Sequence, residues 1–219
     1  MTNEVYLTRT AAFLPNAPVS NDQMEAVLGM AGGIPSRVRR MILRANGIIA
    51  RHYAIDPETR AATHTNAELA VEALRRLPAE ARDATCLACA TSYPDQTMPG
   101  HGVMVHGLSG LPPCETVSLA GVCVSGMAAM KYAYQAVKTG EHASAIMRGE
   151  IFQSETDFRL LHHATPEIGF EKDFLRWMLS DGSGAALLAD RPIAGSLNFK
   201  IHWIELWSYA NEMPPCMYA

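Results

Sequence analysis

Short apolar runs alternate along the chain with amphipathic stretches, a pattern typical of strands separated by helices. Strands are predicted at residues 5–14, 84–91, 116–120, 143–147 and 196–209, with one more after the turn that opens residues 180–190. Helices are predicted at residues 20–30 (capped by Ser20 or Asn21), 36–45, 67–77, 103–111 and 123–138. Residues 151–174 lack periodicity, which predicts a covering loop with helical turns. The alternation predicts an α/β fold, a mainly parallel sheet with helices on both faces.

The strand, turn and helix within residues 114–140 form the central feature of the sequence. The helix is apolar on nearly every face, which predicts a place in the middle of a protein. Cys123 stands at or next to its first residue, where free N–H groups and the helix dipole stabilise a thiolate. A strand-to-helix turn also presents one side chain outward, as in a nucleophile elbow. The alternative is a small apolar residue packed under the helix, and position alone leaves both interpretations open.

Composition and charge narrow the function classes. The 219 residues are 48% hydrophobic and 18% charged, an ordinary globular composition. The net charge of −4 argues against nucleic acid as the main partner. The sequence contains no apolar run long enough for a membrane-spanning helix, and its first residues do not have the pattern of a signal peptide. We therefore expect a cytoplasmic protein without membrane contact. The odd count of five cysteines favours free thiols.

Two further motifs each have a structural and a functional interpretation. Cys86 and Cys89 form a CxxC within a predicted strand, where residues three apart face opposite sides, so we expect packed core residues and no metal. The helix at residues 36–45 carries four arginines, either a solvated face or a docking patch for an acidic carrier protein or phosphate. These are Arg37, Arg39, Arg40 and Arg44.

Five ordered blocks resemble a known family. They are TRTAAFLPNAPVSND at residues 8–22, NGIIARHYA at 46–54, CLACATSYPDQTMPG at 86–100, VSLAGVCVSGMAAMKYAYQAVKTGEHASAIMRGE at 117–150 and SDGSGAALLAD at 180–190. Together they resemble the N-terminal part of a ketoacyl-ACP synthase III-type condensing enzyme with the thiolase fold. The opening block and the arginine-rich helix most resemble the subgroup serving aryl-polyene and dialkylresorcinol pathways.

The resemblance implies a thiolase-like α/β fold of which only the first half is present. Residues 1–190 would form the half that carries the nucleophile, and residues 191–219 a strand and the start of the connection to the absent half. It implies an acyltransferase that makes a decarboxylating Claisen condensation in fatty acid or polyketide-like synthesis. An acyl group would move onto Cys123, whose N–H would form half of the oxyanion hole. The implied partners are an acyl carrier protein, an acyl thioester and a second subunit in a homodimer or heterodimer, with no cofactor or metal.

Departures from the family qualify this expectation. The family's catalytic histidine and asparagine, and the glycine completing its oxyanion hole, lie in the half that this chain lacks. The tryptophan that stacks on CoA corresponds to about Met41, and two CoA-binding arginines correspond to about Ala45 and Asp173. A carrier-protein donor is therefore expected over CoA. The dimer-crossing phenylalanine corresponds to Met98, whose flexible side chain suits an acyl pocket. The resemblance makes Ser92, Met98 and Arg44 the candidate substrate-binding residues.

Two other functions are compatible with the sequence. The chain could be a noncatalytic thiolase-fold partner or fragment that binds carrier protein. It could also be a cysteine hydrolase that pairs Cys123 with His101, His106, His162 or His163. Asp181 is interpreted as structural, its carboxylate holding the Gly-rich turn. Because the helix at 123–138 would be partly bare in a half-fold, we expect aggregation or association.

Overall fold

The structure is a computed structural model that describes residues 2–30, 33–152 and 175–214, without the side chains of residues 148–152. The strands are β1 (Tyr6–Phe13), β2 (Val19–Ser20), β3 (Ala50–Arg51), β4 (Cys86–Thr91), β5 (Glu115–Ala120), β6 (Ser144–Phe152), β7 (Gly182–Ala189) and β8 (Phe199–Lys200). The helices are α1 (Met24–Leu28), α2 (Arg39–Asn46), α3 (Asn66–Arg75), α4 (His101–Ser109) and α5 (Ser125–Thr139). The chain divides into a sheet unit, residues 1–13, 66–150 and 183–219, and a small unit, residues 14–65 and 151–182.

The sheet unit is built on a six-stranded sheet with the order β5-β4-β6-β7-β1-β8. β4 runs parallel to β5 and β6, whereas β1 runs antiparallel to β7 and β8. The sheet is therefore mixed, with its parallel part around β4. Helices α3 and α4 pack on one face and α5 on the other, which confirms the α/β prediction.

Strand β4 lies at the centre of the parallel part, and all six of its residues are buried. Its side chains alternate between the two faces as a strand requires. Cys86 packs with the core under α5, and Cys89 packs with the core under α3 and α4. The prediction that the CxxC cysteines face opposite sides is confirmed, and neither forms a disulfide within the described residues.

The expected burial of β5 and α5 is partly wrong. β5 is the edge strand of the sheet, so its residues are only half-buried or exposed. Helix α5 buries one face, through residues such as Ala129, Ala133 and Val137, while Met127 near its start is exposed. Most other residues of α5 are half-buried, and Gln135 and Thr139 are exposed like Met127. The helix is thus only partly buried among the described residues.

Three elements depart from their predicted boundaries by more than three residues. Helix α1 begins at Met24, since Ser20 pairs with Ala50 in the β2–β3 ladder and the Asn21 amide donates to the Ile48 carbonyl at 2.9 Å. Strand β6 continues to Phe152, beyond the predicted end at 147. The strand predicted at 196–209 forms only as β8. The Ile201 N–H still donates to the Val5 carbonyl at 2.8 Å, and residues 202–209 form no strand within the described chain.

The small unit has its own core, formed by α1, α2 and the segments around them. Trp177 is buried there against residues such as Met24 and Ile42. Arg176 donates to the carbonyls of Leu28 and Gly29 at 2.8 and 2.6 Å, which fixes the end of α1. Across the described residues of the whole chain, no helix combines the length and apolar character needed to span a bilayer.

Candidate active site

A sharp turn between β5 and α5 presents Cys123. β5 ends at Ala120, and Gly121 adopts a φ of 148°, a conformation that favours glycine. The Ser125 N–H donates to the Val122 carbonyl at 2.9 Å, and regular helix begins at Ser125. Cys123 is exposed in this turn. The prediction that Cys123 lies at or next to the N-terminus of the helix is confirmed, since regular helix begins two residues later.

The start of α5 is open for interaction with an anion. The cap position is occupied by Val124, so no side chain of the cap residue satisfies the N–H groups of the first helical turn. Those N–H groups and the helix dipole create a positive potential at this end. Within the described chain, the Cys123 N–H donates to no backbone carbonyl. Several N–H groups at the start of α5 are therefore available to donate to a negatively charged atom next to the Cys123 sulfur.

Ser92 holds the turn from the neighbouring strand. It follows β4, and its hydroxyl donates to the Gly121 carbonyl at 3.0 Å. β4 and β5 pair in register up to Thr91 and Ala120, so both strands end at the same level of the sheet. Ser92 therefore bonds to the peptide group that joins Gly121 to Val122 and helps to position the turn. Its predicted role in substrate binding stays a prediction.

A polar network, missed by the sequence analysis, fixes the loop that follows β4. The Asp95 carboxylate accepts the N–H groups of Asn66 and Ala67 at 2.6 and 2.8 Å, which caps α3. The Asn66 amide donates to the Thr91 hydroxyl at 2.9 Å and to the Tyr93 carbonyl. The only sequence signal for it was the asparagine that precedes the periodic residues of α3.

Met98 is carried by the same loop. Its side chain is 82% exposed, so it is available for contact with a ligand or with another chain. The assignment of Met98 to an acyl pocket is not decided by this exposure and stays a prediction.

Arg44 belongs to the small unit, on the exposed face of α2. Together with Arg40, Met41 and Ala45 it lines an open depression. Arg39 from the same cluster does not contribute a free charge, since it is paired with Glu25 at 3.2 Å. The predicted basic face is therefore present but reduced. Its function in docking remains a prediction.

Of the four histidines proposed for a hydrolase, the two that the structure describes, His101 and His106, make no hydrogen bond to Cys123. His106 contacts the Pro112 carbonyl at 3.0 Å, and His101 is buried at the start of α4. His162 and His163 lie outside the described residues, as does Asp173. Among the described side chains, none makes a hydrogen bond to the Cys123 sulfur.

Asp181 is structural, as expected, although its contacts differ from the expectation. The Asp181 carboxylate is buried and accepts the Ala54 N–H at 2.6 Å, while the Asp181 N–H donates to the His52 carbonyl at 2.8 Å. It therefore orders residues 52–54 of the small unit. A carboxylate held in this way is not available as a catalytic acid.

Comparison with known proteins places this geometry in a family context. No protein-family model matches the chain. Beta-ketoacyl-acyl-carrier-protein synthase III of Aliivibrio fischeri is 26% identical over 194 residues, which are 88% of this chain and 55% of that protein. The same enzyme of Rhodospirillum rubrum is 28% identical over 159 residues, 70% of this chain and 44% of that protein. This chain is similar in sequence to the ketoacyl synthase III-type condensing enzymes over most of its length. The resemblance identified from the sequence is thereby confirmed.

Solved structures show the same fold. AbyA1, a tetronic acid condensing enzyme, superposes with a TM-score of 0.70 at 23% identity, covering 88% of this chain and 56% of that chain. FabH from Pseudomonas aeruginosa gives 0.63 at 22% identity, covering 89% and 55%. OleA from Xanthomonas campestris gives 0.67 at 18% identity, covering 86% and 59%. The ketoacyl synthase III-like chain thus has the thiolase-like fold and spans about half the length of the curated relatives it matches.

Proposed function

We propose that this chain carries the acyl-accepting half of a ketoacyl synthase III-type acyltransferase, with Cys123 as the nucleophile. The observation that carries the proposal is the exposed thiol at the open start of α5, in a chain related to beta-ketoacyl synthases. A thiolate is a good acyl acceptor and a good leaving group, so it suits transfer in both directions.

The first step would be thioester exchange. The Cys123 thiolate attacks the carbonyl carbon of an acyl thioester, and the negative charge moves to the carbonyl oxygen. The Cys123 N–H, which has no backbone acceptor within the described chain, would stabilise that oxyanion as one of two donors. Collapse of the intermediate expels the donor thiolate and leaves the acyl group on Cys123.

The second step would be attack on the acyl group by a malonyl- or ketoacyl-carrier protein, with loss of CO₂ when a malonyl group is used. In the family this step depends on the histidine and asparagine of the second half, for which this chain has no matching block. Without them the chain would accept an acyl group slowly and form no new carbon–carbon bond. A partner chain or a continuation of this chain would supply them.

The donor would be an acyl carrier protein. In the small unit, exposed Arg40 and Arg44 flank the apolar surface of Met41 and Ala45, which suits an acidic helix or a phosphate group with an apolar contact between the charges. Met41 stands where the family has the tryptophan that stacks on CoA. The carrier proposal rests on that replacement and on the two cationic side chains, neither of which has an ion-pair partner within the described part of the chain.

Association with a second chain would complete the unit. β5 is an edge strand that pairs only with β4 among the described strands, and exposed Val122, Val124 and Met127 lie beside it. Such an apolar surface next to unpaired backbone groups favours a protein partner. Sedimentation at micromolar concentration should show a dimer or larger species, and a clean monomer would contradict this part of the proposal.

Intact-mass measurement tests the nucleophile. After incubation with an acyl-carrier thioester, the wild type should gain one acyl group and Cys123→Ala none. Cys114→Ala is the matched control, because Cys114 is a partly buried thiol just before β5, and it should acylate like the wild type. An equal adduct on Cys123→Ala, or none on the wild type, would remove the proposal. Adding malonyl-carrier protein should give no condensation product with this chain alone.

A further inference from the structure

Three potential metal ligands meet at the opposite end of β5 from Cys123. Cys86 is the first residue of β4 and Glu115 the first residue of β5, and the two are paired in the strand register. His142 lies in the turn between α5 and β6. The Cys86 sulfur, a Glu115 carboxylate oxygen and a His142 ring nitrogen all lie within 4.8 Å of one another. The acyl-transfer proposal uses none of these residues.

Backbone and side-chain contacts hold His142 and Glu115 in place. The His142 N–H donates to the Ala136 carbonyl at 3.2 Å, which ties the turn to the end of α5. Its Nδ1 contacts the Thr85 hydroxyl at 2.8 Å, and its Nε2 contacts Glu115 Oε2 at 2.7 Å. The Tyr132 hydroxyl donates to the other carboxylate oxygen, Oε1. His142 Nε2 and Glu115 Oε2 therefore face each other beside the Cys86 sulfur. The other ring nitrogen, Nδ1, and the other carboxylate oxygen, Oε1, already have hydrogen-bond partners.

This arrangement matches a zinc centre in ligand type and in outer contacts. Thiolate, imidazole and carboxylate are the three side-chain ligands that zinc takes in proteins. Histidine ligands bond through their second ring nitrogen to a protein acceptor, and ligand carboxylates are themselves hydrogen-bonded. Thr85 and Tyr132 occupy those two outer positions.

The distances need only small adjustments. Tetrahedral bonding to zinc separates nitrogen, oxygen and sulfur ligands by about 3.4 to 3.6 Å. On zinc binding, the distance between His142 Nε2 and Glu115 Oε2 would increase from 2.7 Å. The distances from the Cys86 sulfur to these two ligands, now at most 4.8 Å, would decrease. Both changes require rotation of the Glu115 and His142 side chains.

Burial gives the site a closed side and an open side. Cys86 is 1% exposed, the His142 side chain 11% and the Glu115 side chain 36%. Water can therefore reach the fourth position past Glu115. Burial, followed by the nearby Glu115 carboxylate, raises the pKa of the Cys86 thiol to about 12. A bound cation would remove that proton and take up the charge.

We propose that Cys86, Glu115 and His142 bind one Zn²⁺ ion at the foot of the sheet, with water as the fourth ligand. The ion would fasten the starts of β4 and β5 to the turn before β6. It would lie apart from the acyl chemistry, because β5 separates it from Cys123 by roughly 16 Å of strand.

Cobalt provides a spectroscopic probe, because Co²⁺ occupies zinc sites and its bond to a thiolate absorbs in the near ultraviolet. Chelator-treated protein titrated with Co²⁺ should show this sulfur-to-cobalt band, saturating at one ion per chain, and Zn²⁺ should abolish it. Cys86→Ala should lose the band. Cys89→Ala, which deletes a buried sulfur from the opposite face of the same strand, should keep it.

Two more variants keep the test decisive if Cys86→Ala is poorly folded. His142→Asn, at a partly exposed turn position, should weaken Zn²⁺ binding by at least ~100-fold, and Tyr132→Phe, which keeps all three ligands, by ~10-fold. Circular dichroism confirms that each variant is folded. A titration without the sulfur-to-cobalt band, a band that survives Cys86→Ala, or unchanged Zn²⁺ affinity in His142→Asn would each overturn the proposal.

Discussion

Replacement of Gly121 by alanine tests whether the turn itself makes Cys123 reactive. Gly121 has a φ of 148°, and a Cβ atom added there would meet Val124 Cγ1 at 3.7 Å and Ser125 Cβ at 3.9 Å. Both distances are ordinary van der Waals contacts, so the cost of the substitution comes from the backbone conformation and not from crowding. This separates the turn geometry from side-chain packing.

The magnitude follows from two opposing effects. A non-glycine residue in such a conformation costs about 1 to 3 kcal/mol. Alanine also restricts the unfolded chain, which returns about 0.4 to 1 kcal/mol. Gly121→Ala should therefore lower the free energy of unfolding by roughly 1 to 2 kcal/mol, unless the turn moves to relieve the strain. If it moves, Val122 and Cys123 move with it, and acyl transfer should slow by roughly 10- to 100-fold.

The assay pairs urea unfolding with the rate of acyl transfer from a carrier thioester. Gly110→Ala is the matched control, because Gly110 ends α4 with a φ of 72° and has no atom within 4 Å of its added Cβ. It should lose ~1 to 2 kcal/mol of stability and keep the acylation rate. If Gly121→Ala matches the wild type in both stability and rate, the reasoning about the turn is refuted.

Three further predictions follow from single contacts. Ser92→Ala removes the hydrogen bond to the Gly121 carbonyl, so it should lower the free energy of unfolding in urea by ~1 kcal/mol and slow the acylation of Cys123. A loss of stability without slower acylation would limit Ser92 to a structural role. Hydrogen bonds from Tyr132 and then His142 lower the pKa of Glu115 from its ordinary value, so the stability they give is present above the unfolded-state pKa and is lost as pH falls through the lowered value. The stability difference between wild type and Glu115→Gln should therefore shrink as the solution is made acidic, and a constant difference would contradict this. Arg44→Glu should weaken carrier-protein binding roughly fivefold, since an exposed ion pair contributes up to ~1 kcal/mol, whereas Arg191→Glu, an exposed control, should leave it unchanged in calorimetry.

Elements with local signals were predictable from the sequence. The amphipathic period of α3, the almost entirely apolar β4 and the glycine after α5 each indicate structure without reference to the rest of the chain. Gly140 ends α5 in the left-handed conformation that a helix C-terminus favours. The position of Cys123 followed from the same kind of signal, a strand, a glycine and an apolar helix in immediate succession.

Features that depend on distant pairing were not predictable. The alternation in residues 196–209 is suited to a strand, but a strand needs a neighbour. Among the described residues, Phe199 and Lys200 pair with β1, and one further hydrogen bond joins Ile201 to Val5. The edge position of β5 is likewise set by sheet order and not by its own residues. Glu115 and His142 are separated by 27 residues and meet only because β5 and the turn before β6 flank β4. No sequence spacing indicates that cluster.

Mapping of the acyl adduct tests the central claim most directly. Wild-type protein is incubated with an acyl-carrier thioester, digested, and its cysteine peptides are weighed before and after hydroxylamine, which cleaves thioesters. The account predicts a hydroxylamine-labile acyl group on Cys123 and none on Cys86, Cys89, Cys114 or Cys216. An adduct on one of those other cysteines, or no adduct on Cys123, would contradict it.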